Sequence, residues 1–144
     1  MMLVVRPRPR LWLFLSVIAS TATAECQTVK TQTPALVEYE RSGGITGQTV
    51  KLVIQDNGSA RLYTRADSTT LAVGADTLER LKSLLQSIRF DTLRADYRPS
   101  QAGADLYEYV ITHRGRSVRC QDGAVPAELQ PLVTTLNGLV RSRR

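Results

Sequence analysis

The sequence predicts an α+β domain, an antiparallel sheet of four to five strands covered by two helices in the order β-β-β-α-β-β-α, on three observations. Val50, Leu52 and Ile54 alternate with Lys51, Val53 and Gln55, the period-two pattern of a half-buried strand. Leu78, Leu81, Leu84, Leu85 and Ile88 recur at helical spacing, and Leu129, Leu132, Val133, Leu136 and Val140 do so again near the C-terminus. A sheet with one apolar face needs a cover, and two helices with apolar stripes supply one.

The chain opens with a different kind of segment. Arg6, Arg8 and Arg10 precede the apolar run 11–19, and small residues follow up to Ala22-Thr23-Ala24. This is the layout of a signal peptide, over residues 1–24, with cleavage after Ala24. The apolar run is short of the ~20 residues that span a bilayer. The mature chain is therefore expected in the periplasm or outside the cell, with no membrane attachment after cleavage.

Export changes how the charge is read. The whole chain carries 19 basic and 13 acidic residues, a net +6. The leader holds three of the basic residues and no acids, so the mature part carries 16 against 13, or +3. Three more cations sit in the tail 141–144, Arg141-Ser142-Arg143-Arg144, which reads as a solvated end. No basic stripe with interleaved aromatics is visible, so nucleic acid is not an expected partner. Cys26 and Cys120 are the only cysteines, and an even count in an exported chain points to a disulfide between them. That bond would close most of the mature chain into one loop, stabilising it by about 4–5 kcal/mol in the chain-entropy model. The competing use of Cys26 is lipid attachment, opposed by Glu25, since a lipobox carries a small residue before its cysteine.

Residues 25–35 form a polar lead-in, and 36–41 is extended in character. Strand 50–55 is followed by Asp56-Asn57-Gly58-Ser59, whose Asn-Gly pair favours a tight type I′ hairpin, and 60–65 returns as a third strand. Asp76, with Glu79 three residues on, can cap a helix that carries the leucine stripe from Leu78 to Ile88. Residues 91–105, containing Pro99 and Gly103, form a longer connection. Residues 106–113 and 116–121 make a second hairpin around Arg114-Gly115, with Cys120 in phase with Val118 and so turned toward the core. Pro126 and Pro131 are tolerated at helix starts, which gives a short turn at 126–130 and a helix over about 131–140.

Between the first two strands lies Arg41-Ser42-Gly43-Gly44-Ile45-Thr46-Gly47. A phosphate-binding loop needs Lys after its last glycine and a helix beyond it; here Gln48 follows Gly47 and a strand comes next. The dinucleotide pattern fails as well, with Ser42 where the first glycine belongs. Catalysis has no positive case. His113 is the only histidine, so a cluster of His metal ligands cannot be built. It sits beside Arg114 and Arg116 at a hairpin end, where a surface imidazole is the simpler reading. Asp105 and Glu108, close in sequence, read as solvated or cross-strand acids. No enzyme, cofactor or metal is expected.

The stretch from Glu40 to Gly47 resembles the R-S-G-G-[F]-x-G signature of the emfourin family, proteinaceous inhibitors of protealysin and other thermolysin-like metallopeptidases. Ala104-Asp105-Leu106-Tyr107-Glu108-Tyr109 is similar to that family's Asp-x-[aromatic]-x-Tyr strand. Asp122-Gly123-Ala124-Val125-Pro126, with Leu129 and Leu132 beyond, is similar to its Asp-x-x-Val-Pro turn into the last helix. The resemblance spans 36–140. Ile45 stands where the family often has an aromatic, and neither the leader nor the cysteine pair belongs to the pattern. The resemblance implies a thermolysin-like metallopeptidase as protein partner, contacted by Arg41, Ser42, Gly43, Gly44, Ile45, Thr46 and Gly47. It implies that the loop 42–47 fills or covers the substrate cleft, with Ile45 supplying the apolar contact such peptidases favour beside the scissile bond. The loop offers no zinc ligand, so occlusion is expected over chelation. Two alternatives stay open: an ordinary hairpin connection that uses glycine only to turn, and an exported non-catalytic binding or structural module with another partner.

Overall fold

The computed structural model describes residues 34–100, 103 and 105–142. The leader 1–24, Cys26 and most of the lead-in lie outside the described residues, as do Arg143 and Arg144 of the tail. Seven strands form one sheet: β1 (Ala35–Gly43), β2 (Val50–Gln55), β3 (Ser59–Tyr63), β4 (Ser68–Ala72), β5 (Asp96–Tyr97), β6 (Tyr107–His113) and β7 (Arg116–Gln121). Helix α1 (Ala75–Ser87) separates β4 from β5, and α2 (Gln130–Arg141) closes the domain. The sheet order is β4-β3-β2-β1-β6-β7-β5, so the longest strand, β1, sits in the middle.

Alternation assigns the sheet one inner face. Val37, Tyr39 and Arg41 of β1, Val50, Leu52 and Ile54 of β2, Ala60 and Leu62 of β3, Leu71 of β4, Tyr109 and Ile111 of β6, and Val118 and Cys120 of β7 are all buried. Leu81 and Leu85 of α1 and Leu132, Val133, Leu136 and Val140 of α2 join the same core. Burying each such aliphatic side chain is worth roughly 1.5–3 kcal/mol, which is why the two helical stripes lie on the sheet instead of in water. The outer face carries Glu38, Glu40, Lys51, Arg61 and Arg119, with Lys51 paired to Glu38 at 2.8 Å.

The α+β class stands, and several details differ from expectation. The sheet has seven strands, not four to five, and is mixed, because β5 runs parallel to β7. The element order is β-β-β-β-α-β-β-β-α. β4 has a single buried residue, Leu71, and β5 is only two residues long, so neither offers a periodic apolar signal. The third strand ends at Tyr63, where Thr64 and Asp67 close a turn.

The hairpin at Asn57-Gly58 is not type I′. Only Gly58 has positive φ (+84°), while Gly58 N–H donates to Gln55 O at 3.0 Å and Asn57 Oδ1 accepts from Ser59 N–H. That is a type I turn followed by a left-handed glycine. The type I′ signature falls at the other hairpin, where Arg114 (φ 49°) and Gly115 (φ 77°) are both left-handed. Asp76 does not cap α1: the N-cap position is Gly74, no side chain caps it, and Asp76 lies in the first turn, favourable to the helix dipole. Cys120 faces the core as its phase with Val118 requires; its thiol has no disulfide partner among the described residues, and Cys26 lies outside them.

Candidate partner-binding loop

The glycine stretch divides into a strand end and a turn. Arg41, Ser42 and Gly43 are the last residues of β1, paired with Tyr109, Glu108 and Tyr107 of β6. Gly44 to Gly47 then form a tight turn, closed by Gly47 N–H donating to Gly44 O at 3.0 Å. Ile45 and Thr46 occupy its two corners. Ile45 is 88% exposed, and the only other exposed large hydrophobic among the described residues is Tyr63, at 38%.

Two of the glycines are fixed by what lies beneath them. Gly43 (φ +92°) passes over the start of β6, where an added Cβ would stand 2.5 Å from Leu106 O. Gly44 (φ +69°) rests on the Tyr107 ring, with Cε1 2.5 Å from any Cβ, and its N–H donates to Leu106 O at 3.3 Å. Gly47 (φ +56°) has open space around it, so conformation alone accounts for glycine there.

Arg41 lies inside the domain. It is 6% exposed, its Nη1 donates to Asn137 Oδ1 at 2.8 Å, and its guanidinium stacks 5.0 Å from the centre of the Tyr107 ring. The same Asn137 oxygen accepts from the Tyr39 hydroxyl at 2.9 Å. No carboxylate pairs with Arg41 among the described residues, so the amide oxygen and the ring face carry the compensation for its burial.

The polar contacts continue from Tyr107. Its N–H donates to Asp122 Oδ2 at 3.1 Å and its carbonyl accepts from Asp122 N–H at 2.9 Å. Tyr109 donates its hydroxyl proton to Asp122 Oδ1 at 2.6 Å and stacks on Tyr39 with centroids 6.1 Å apart. Burial, then the bond to Asp122, raises the Tyr109 phenol above its ordinary range; burial also raises Tyr39. Three stretches distant in sequence, at Arg41 to Gly44, at Tyr107 and Tyr109, and at Asp122, thus meet in one cluster under the stem of the turn. Asn137, on α2, completes the cluster and carries no signal in the sequence beyond a polar residue in an amphipathic helix.

Beside the turn lies a concavity of about 450 Å³, lined by Thr46, Gln48, Val50, Leu62, Arg65 and Val140 among others. A larger open groove, about 680 Å³, lies around Leu36, Phe90 and His113. His113 is not a free surface imidazole. It is partly buried, tilted against Phe90 with centroids 5.3 Å apart, and its Nδ1 lies 2.7 Å from Leu36 O. A carbonyl can only accept, so Nδ1 carries the proton and the ring ties β6 to the start of β1.

The chain matches no protein-family model and no curated protein. Among the described residues, no helix is long and apolar enough to cross a membrane.

Proposed function

We propose that the chain is an exported inhibitor of thermolysin-like zinc metallopeptidases, and that the turn Gly44 to Gly47 plugs the substrate cleft with Ile45 at its tip. The observation that supports this most is the exposure of Ile45, 88%, on a turn whose stem is immobilised by Tyr107 and Leu106. An aliphatic side chain held in water on a rigid support loses little conformational entropy when it enters an apolar subsite, which favours tight association. The inhibitor reading belongs with the signal peptide, because a protein exported after Ala24 meets secreted peptidases and not cytosolic ones.

Residues 25–144, titrated against thermolysin and against a protealysin-type enzyme, should inhibit stoichiometrically at micromolar concentration. Full activity of both peptidases in the presence of folded protein would end the proposal. N-terminal sequencing of the protein recovered from the periplasm or medium should begin at Glu25.

A further inference from the structure

We infer that the free edge of β4 is a self-pairing edge, through which two copies of this chain join their sheets into one. β4 is the outermost strand on its side, and its register with β3 runs without a shift from Ser59–Ala72 to Tyr63–Ser68. Exposed edges are normally blunted by charge, proline, bulges or extreme shortness. Ser68-Thr69-Thr70-Leu71-Ala72 has none of these, whereas β5 at the opposite edge is two residues long.

The ladder shows which backbone groups are free. Val73 N–H donates to Gly58 O at 2.9 Å, and Thr64 N–H donates to Asp67 O at 2.8 Å. Bonded and non-bonded pairs alternate along an antiparallel ladder, so Ala60–Leu71 and Leu62–Thr69 are the bonded pairs between these two ends. Ser68, Thr70 and Ala72 therefore point their N–H and C=O groups outward. Ser68 agrees with this assignment, since its N–H turns away from β3 to Asp67 Oδ1 at 2.6 Å. No acceptor meets the N–H of Thr70 or Ala72 among the described residues.

The residue pattern selects a second copy as the occupant. Antiparallel pairing on a two-fold axis at Thr70 sets Thr70 against Thr70 and Ser68 against Ala72, with no like charges opposed, and threonine pairs are favourable across strands. It also keeps exposed Arg65, which precedes β4, at opposite ends of the joined edges in the two copies, whereas parallel pairing would bring the two arginines together. Four hydrogen bonds can form from groups already free: Thr70 N–H to Thr70 O in each direction, and Ala72 N–H to Ser68 O in each direction. The β4 start and the Gly44 to Gly47 turn lie at the same end of the sheet, so the axis sends the two Ile45 tips to opposite ends, and neither blocks the other.

The test is sedimentation equilibrium of the full chain across concentration, combined with amide exchange at Thr70 and Ala72. We expect a reversible dimer in which those two amides slow only as the dimer forms. Thr70→Pro removes the N–H at the axis without touching the ladder to β3, and should weaken the dimer at least about tenfold. Thr70→Lys, at an exposed position that leaves folding alone, sets two ammonium groups face to face and should weaken it in a salt-dependent way. A monomer up to about 1 mM, a dimer whose Thr70 amide exchanges freely, or undiminished dimers of both variants would overturn the inference. So would protection of these amides only in a complex with a different protein.

Discussion

The backbone of Gly44 lies against the ring of Tyr107, so closely that a Cβ on Gly44 would stand 2.5 Å from Cε1 and 2.6 Å from Cζ. A side chain here meets two costs, the left-handed backbone and the overlap with a ring packed against Arg41 and Tyr109, on a residue whose backbone is tied to Asp122. Gly44→Ala should destabilise the domain by about 2–5 kcal/mol, the sum of a positive-φ strain and an overpacking cost. Gly47→Ala carries the first cost alone, about 1–2 kcal/mol. Adding Tyr107→Ala to Gly44→Ala should return part of the loss as a coupling energy, measured by urea unfolding. Equal losses at Gly44 and Gly47 would show that the ring does not constrain the stem.

Asn137 serves two donors with one oxygen, which makes it the most exposed point of failure in the polar cluster. Asn137→Ala leaves both the Tyr39 hydroxyl and Arg41 Nη1 without a partner inside the domain. We expect a loss of about 2–4 kcal/mol, with Tyr39→Phe recovering some of it in the double variant. A loss below about 0.5 kcal/mol would mean that water replaces the amide.

The reach of sequence reasoning follows from which forces are local. Strand β2, both hairpin positions and both leucine stripes declare themselves through period and turn chemistry within a few residues. β4 and β5 do not, because hydrogen bonding to an existing neighbour, not burial, makes them strands. The turn around Ile45 was legible as a shaped loop, but the burial of Arg41 was not. Arginine is rarely enclosed, and what encloses it, Tyr107 and Asn137, arrives from residues far along the chain. The misplaced type I′ turn has a narrower cause. Asn-Gly suits two turn types, and the extra residue between Ile54 and Ala60 selects type I with a left-handed glycine.

Arg114 is the only non-glycine residue with positive φ among those described, at 49°. Asn tolerates that conformation better, and Asn-Gly is the preferred type I′ pair. Arg114→Asn should therefore raise stability by about 0.5–1 kcal/mol, seen as a higher melting temperature. A lower melting temperature would reveal a packing role for the Arg114 stem.

Alkaline pH should weaken the domain in a defined order. Burial raises the Cys120 thiol from 9.0 to about 11, and raises the Tyr39 and Tyr109 phenols above 10.0. All three hold their protons longer when folded than when unfolded, so above the ordinary values the unfolded state binds fewer protons and stability falls with rising pH. The contribution is complete below about pH 9, declines first through Cys120 toward pH 11, and declines further as the tyrosines ionise. Urea unfolding of reduced protein should show a slope of up to about 1.4 kcal/mol per pH unit per group above pH 9. Cys120→Ala should flatten the pH 9–11 part; an unchanged slope in that variant would assign the alkaline sensitivity elsewhere.

The loop proposal makes its sharpest prediction at Ile45, because there function and fold separate. Its side chain is 88% exposed and carries none of the contacts that hold the stem, so Ile45→Asp should leave stability within about 0.5 kcal/mol. In the proposed complex the same carboxylate would enter an apolar subsite without a partner, and inhibition of a thermolysin-like peptidase should weaken by at least about 100-fold. Ile45→Phe keeps an apolar tip and should retain inhibition, with a changed preference among peptidases according to subsite width. Gly44 is the wrong position for this test, since a bulky residue there disturbs the Tyr107 contact and loses the stem together with the tip. Ile45→Asp with undiminished inhibition would move the contact to another surface, even if the protein inhibits.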